Sequence, residues 1–121
     1  MEIPAPQVRG TIRRPASLWT LFFLPEQASW SDPSRARFDG LVGQEVKIVW
    51  RMTGSGPLRL LAYGPAGERL APIWGPERHL GGNFIHRGDE WGAGFRLPSA
   101  GCWKLRATRK TLAGAIWIVL R

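Results

Sequence analysis

The chain has 121 residues, a 44% hydrophobic fraction and seven tryptophans, so it can bury one core, and its composition argues against a disordered protein. No stretch approaches the roughly 20 apolar residues of a membrane helix, and its one cysteine excludes a disulfide framework within the chain. The net charge of +8 predicts attraction to polyanions, and no acidic residue follows Glu90.

The first third of the sequence predicts a lead-in and one buried strand. Residues 1–15 are rich in proline and are expected to be extended. The apolar run SLWTLFFLP at 17–25 is typical of a strand buried on both faces. An arginine pair at 13–14 precedes this run as in an export signal, but a proline and a glutamate replace the cleavage site, so we favour the strand. Residues 33–38 could carry one helical turn.

In the middle and at the end of the chain, apolar and polar residues alternate with a period of two. In QEVKIVWRM at 44–52 every second residue is apolar, which predicts a strand with one buried face, and LRLLAYG at 58–64 repeats the pattern. Three further strands, FRLP, CWKLRAT and AIWIVLR, are expected near the C-terminus. The predicted core consists of Val46, Ile48, Trp50, Leu60, Phe95, Leu97, Trp103, Leu105, Ile116 and Ile118.

These strands define the predicted fold class. About seven short strands with turn signals every 8–12 residues, and almost no helical periodicity, predict an all-β antiparallel sandwich or small barrel. No repeat and no composition shift divides the chain. We therefore expect a single domain over residues 1–121.

Residues 98–105, PSAGCWKL, carry the pattern P-x-x-G-C-W-x-(Leu/Ile). With the preceding strands, this pattern resembles a group of small bacterial immunoglobulin-like domains found in exported proteins of unassigned function. The resemblance covers roughly residues 45–121. It implies an immunoglobulin-like sandwich of about seven strands, an extracytoplasmic location, and a non-catalytic module that binds a protein or cell-surface partner.

Residues 76–94 are predicted to form a long glycine-rich loop. Loops beyond about 12–15 residues are usually functional or disordered, so this loop is either a recognition site or a lid pinned over the end of the core. Its imidazole, carboxylate, guanidinium and indole groups suit a binding loop. The candidate binding residues are His79, Asn83, His86, Arg87, Asp89, Glu90, Trp91 and, just before the loop, Trp74.

Catalysis is not expected. Cys102 would need a base, and the two histidines, His79 and His86, both lie in the predicted loop with Asp89 and Glu90. An unreactive cysteine in a strand more often behaves as a small buried hydrophobe. The spacing H-x6-H-x2-D-E fits no tight zinc pattern, so we expect neither a metal nor another cofactor.

Two alternatives to a protein-binding module remain open. The C-terminal run CWKLRATRKTLAGAIWIVLR interleaves cations with aromatic residues, a pattern that can bind nucleic acid or an acidic glycan. Tryptophans in loops, Trp74 and Trp91, could instead stack on sugar rings, although loop tryptophans more often cap the ends of sandwiches. The oligomeric state is left open.

Overall fold

The computed structural model describes residues 6–31, 36–80 and 86–121, and over these ranges the chain is all β, with no helix. Two sheets pack face to face, which confirms the predicted β-sandwich. The strands are β1 (Gln7–Arg9), β2 (Thr11–Ile12), β3 (Leu18–Phe23), β4 (Ser29–Ser31), β5 (Arg37–Asp39), β6 (Glu45–Met52), β7 (Arg59–Tyr63), β8 (Arg69–Leu70), β9 (Trp74–His79), β10 (Asp89–Arg96), β11 (Gly101–Arg109) and β12 (Leu112–Leu120).

The first sheet is antiparallel throughout, in the order β1-β3-β6-β10-β9. Its centre is the pair β6 and β10, which are in register from Met52 opposite Asp89 to Glu45 opposite Arg96. The apolar alternation of β6 explains its position, because one side of this strand faces the core along its whole length.

The second sheet has the order β4-β5-β12-β11-β7-β8. The hairpin β11–β12 forms its centre, with Gly101 opposite Leu120 and Arg109 opposite Leu112. The other edge of β12 is shared by two short segments. Antiparallel β2 pairs at Gly114, and parallel β5 pairs at Val119.

The predicted core is confirmed, since all ten of its residues are buried between the sheets. The signature at 98–105 accounts for one end of this core. Gly101 has a φ of 118°, and a Cβ there would lie 2.9 Å from the Pro65 ring, so the turn requires glycine. Trp103 then points inward, fully buried, and its Nε1 donates to the Ser99 carbonyl at 2.9 Å.

The extended lead-in contributes to both sheets through two short strands. Strand β1 pairs with β3 in the first sheet, and β2 pairs with β12 in the second. Gly10 lies where the chain crosses between them, and a Cβ there would lie 2.5 Å from Leu18. Two-residue and three-residue edge strands such as these carry too few residues to show a periodicity. They also raise the strand count above the seven that the sequence predicts.

The helical turn predicted at 33–38 is wrong for Arg37 and Phe38, which lie in β5, while residues 33–35 fall outside the described ranges. Strand β3 occupies the predicted apolar run, with Leu18 and Phe22 facing the core and Leu21 buried on the opposite side. Phe23 at its end is exposed.

The long loop predicted at 76–94 is also wrong, since β9 and β10 occupy most of it. Its glycines serve close packing within the sheet. A Cβ at Gly92 would lie 2.8 Å from Nε2 of His79, and a Cβ at Gly94 would collide with the Trp74 ring. Side chains of β9 therefore cover these two glycines of β10. Only glycine permits such a close approach, because it has no side chain.

Candidate functional site

The candidate residues of the predicted loop are not gathered in one place. His79, His86 and Glu90 lie on the outer face of the first sheet, whereas Asp89 and Trp91 lie at one end of the sandwich. Trp74 covers Gly94, and Arg87 is exposed beside His86. Asn83 lies outside the described residues.

On the first sheet, one cross-strand row joins Arg51, Glu90 and His79. The Glu90 carboxylate is 2% exposed, and its oxygens lie 3.1 Å from Nη2 of Arg51 and 3.1 Å from Nδ1 of His79. A buried carboxylate requires such compensation, because an isolated charge out of water is very costly. The row thus compensates the buried charge and leaves Glu90 unavailable to a ligand.

His86 lies on this same face and stacks on Trp19, with ring centroids 3.9 Å apart and planes 3° from parallel. Its Nε2 is 3.1 Å from the Gln7 side-chain oxygen. Burial, and secondarily the positive charge of Arg51, lowers the pKa of His86. The stacking on Trp19 and the contact with Gln7 hold this part of the chain against β3 and β1.

Trp91 does not present its ring to solvent as a sugar-stacking residue would. It is 4% exposed and faces inward on β10, with the guanidinium carbons of Arg109 and Arg78 at 4.6 Å and 5.3 Å from its ring centroid. The sugar-binding alternative therefore loses one of its two tryptophans. Trp74 remains partly exposed.

The outer face of the second sheet has a different character. Outward-facing side chains of β7, β11 and β12 lie in cross-strand rows, and the central row places Tyr63, Lys104 and Trp117 side by side. The Lys104 Nζ lies 5.6 Å from the Trp117 ring and 6.0 Å from the Tyr63 ring. We call this surface the basic face, and its members are Arg59, Leu61, Tyr63, Arg69, Cys102, Lys104, Arg106, Ala115, Trp117 and Val119.

The basic face carries positive charge without local compensation. Strands β7, β11 and β12 contain no aspartate or glutamate. None of the ion pairs found in the described ranges involves Arg59, Lys104 or Arg106. Glu68, in the turn before β8, accepts hydrogen bonds from the Ser99 hydroxyl at 2.6 Å and the Ala66 amide at 2.7 Å, and the first of these lowers its pKa.

Trp117 is the large apolar side chain of this face, and it is 48% exposed in the middle of a nine-residue strand. A shallow depression of about 200 Å³ beside it is lined in part by Thr11, Arg106 and Ala115. The candidate binding residues predicted from the sequence do not include this surface, although the polyanion alternative rested on the run 102–121, which contains most of β11 and all of β12. The sequence feature that indicates this surface is Trp117, which is out of phase with its buried neighbours in a segment that lacks acidic residues.

Cys102 is exposed on the basic face, so the expected burial of its thiol is wrong. The reason is alternation, since Trp103 takes the inward position and its neighbour must point outward. Exposure does not supply a base, because His79 and His86 lie on the outer face of the opposite sheet. A cysteine–histidine pair is therefore not formed.

Within the described ranges no three metal-binding side chains converge, and no helix is long and apolar enough to cross a membrane. Comparison of the chain with family models and with curated proteins finds no match.

Proposed function

We propose that this chain is a non-catalytic binding module, acting outside the cytoplasm, whose basic face docks onto an acidic surface of a protein partner. One observation carries the proposal. An exposed tryptophan stands in a row with Lys104 and Tyr63 on three strands that contain no acidic residue. The extracytoplasmic location and an immunoglobulin-like kinship are supported by the resemblance of residues 98–105 to domains of exported proteins.

The residue types of the basic face suit an interface. Tryptophan, tyrosine and arginine are the side chains most enriched among residues that dominate binding energy. Trp117 lies beside Lys104 and lines the same depression as Arg106, so an apolar contact would adjoin charged contacts. Such an arrangement gives affinity through the indole and orientation through the charges.

Apolar residues on the basic face favour a protein partner over a uniform polyanion. Leu61 and Val119 face outward beside the cationic positions, and both are partly exposed. A phosphate or sulfate polymer would gain little from these residues, whereas an acidic protein surface offers aliphatic side chains to cover them. Nucleic acid or an acidic glycan remains the competing outcome of the test.

Cys102 provides the means to test the proposal, since its thiol lies on the basic face. A photoactivatable maleimide attached there would cross-link whatever docks in an extract. The charge-reversal variant is Lys104→Glu with Arg106→Glu. Its matched control is Arg9→Glu with Arg96→Glu, the same charge change at exposed positions of the first sheet.

We expect wild type and the control to capture the same protein, with an acidic cluster at the cross-linked site, and the charge-reversal variant to lose it. Trp117→Ala should lose it as well, without a change of charge. Capture of nucleic acid or glycan alone, with a steep dependence on salt, would support the polyanion alternative instead. Equal capture by every variant would exclude the basic face.

A further inference from the structure

A cleft of about 510 Å³ opens at one end of the sandwich, where residues 54–57 link the first sheet to the second. Its other lining residues are Arg78, Asp89, Trp91 and Arg109. The volume lies within the range of small-molecule sites, roughly 300–1,000 Å³. We call it the Arg78–Arg109 cleft.

Arg109 forms the back of this cleft and is held rigidly. It is 3% exposed, because it occupies an inward position of β11. Its Nε donates to the Gly56 carbonyl at 2.9 Å, its Nη1 to the Met52 carbonyl at 2.8 Å, and its Nη2 to Asp89 at 2.8 Å. Three acceptors on different sides fix the plane of the guanidinium, so its charge is already in position before any ligand arrives.

Arg78 lies at the rim and is held far less firmly. Its side chain is 51% exposed, and its Nη2 lies 2.8 Å from Oδ1 of Asp89. An ion pair exposed to this degree contributes little stability, so rearranging it costs little. With one of five N–H donors engaged by Asp89, the guanidinium retains the capacity to bind a second oxyanion in the two-pronged manner usual for arginine.

The charges of the cleft do not balance. Two guanidinium groups share the single carboxylate of Asp89, which leaves an excess of one positive charge in a chain whose net charge is already +8. Trp91 lies against both guanidinium groups. Its indole keeps water from one side of the guanidinium groups and so reduces the screening of this charge.

We propose that the Arg78–Arg109 cleft binds a small molecule through a carboxylate or phosphate group. Arg78 makes the direct contact, Arg109 supplies the fixed positive field behind it, and the Ser55 hydroxyl in the linking turn is a further donor at the cleft wall. Asp89 stays on Arg109. The basic face is formed by other residues, so this site can exist whether or not that face binds a partner.

To test this proposal, sodium acetate and inorganic phosphate are titrated separately into ¹⁵N-labelled protein and followed by NMR. Sodium chloride keeps the ionic strength constant. The signals to follow are Nε–H of Arg109 and Nε1–H of Trp91, which report on the cleft. Arg78→Gln removes the charge and keeps a polar side chain. Arg96→Gln is the matched control, an exposed arginine on the same sheet outside the cleft.

We expect saturable shifts in wild type and in Arg96→Gln. In Arg78→Gln the affinity should be about tenfold weaker, since a charge-assisted bidentate contact is lost. Tighter binding of phosphate than of acetate would identify a phosphorylated ligand, and the reverse order a carboxylic acid. The proposal is overturned if no shift saturates in wild type, or if Arg78→Gln binds as wild type does. Unchanged melting of Arg78→Gln would confirm that lost binding is not lost folding.

Discussion

On the outer face of the first sheet, Glu90 lies between a guanidinium and an imidazole and is nearly inaccessible to water. On the outer face of the second sheet, Lys104 and Arg106 extend from strands that contain no carboxylate, and Trp117 is about half exposed beside them. The first face holds charges that the fold itself requires. The second holds charges for which the fold has no evident use.

Burial explains this difference. A charge under a covered face must be compensated within the chain or it destabilises the protein, whereas a charge in water costs almost nothing when unpaired. Changes to the buried Arg51–Glu90–His79 row should therefore act on stability, and changes on the second sheet's face should act on binding.

The largest difference is expected between two tryptophans of the second sheet. Trp103→Ala removes a fully buried ring together with its hydrogen bond to Ser99, and should lower the free energy of unfolding by about 4 kcal/mol. Trp117→Ala, on the opposite face, should lower it by less than about 1 kcal/mol. Urea unfolding followed by circular dichroism measures both, and similar losses would show that the basic face is structurally required.

Glu90→Ala should be the next most damaging change, because it removes the buried carboxylate that pairs with both Arg51 and His79 and leaves a space in its place. Removing one partner of a buried ion pair costs about 3 kcal/mol. Glu77→Ala is the control, an exposed glutamate on β9, and should change stability by less than about 0.5 kcal/mol. Thermal melting at neutral pH would reveal the contrast, and equal melting points would contradict it.

A smaller, pH-dependent effect is expected at His86. Its pKa is lowered in the folded protein, so the folded state binds fewer protons than the unfolded state near the ordinary value of about 6.5. The contribution of His86 is therefore complete above about pH 6.5 and is lost as the pH falls below it. The melting temperature of wild type should drop more between pH 7.5 and 5.5 than that of His86→Gln, and parallel curves would refute this role.

The smallest effect on stability is expected at Cys102, which lies on the open face. Its thiol should react with a maleimide at similar rates in the native protein and in urea, because folding does not cover it. The free energy of unfolding of Cys102→Ser should lie within about 0.5 kcal/mol of the wild-type value. A native rate a hundred times slower than the unfolded rate would show that the basic face is covered, for example by a second copy of the chain.

The sandwich and its core could be predicted because alternation is a local property. In β6 and β11 the inward residues recur at every second position, and no knowledge of the partner strand is needed to identify them. Arg109 also follows this rule, since it is in phase with Trp103, Leu105 and Ala107. Its burial was therefore predictable, although a cation there was not expected.

The strands β9 and β10 could not be predicted in the same way. Gly92 and Gly94 have low strand propensity, and what makes them acceptable is the covering by His79 and Trp74 from the neighbouring strand. That contact depends on a pairing register that the local sequence does not contain. The candidate binding residues were misplaced for this reason, because a segment interpreted as a loop was expected to bring them together.

The place of β12 in the sheet has a consequence for the order of events during biosynthesis. This strand, the last of the twelve, pairs with both β2 and β5. Thr11 therefore pairs with Ala115 and Arg37 with Val119, residues that are far apart in the sequence. While the ribosome is still translating the preceding strands, β2 and β5 cannot join the second sheet. Such distant pairings slow folding and extend the interval during which a nascent chain can aggregate or be held by a chaperone. The second sheet can therefore reach its full pairing only after β12 has emerged.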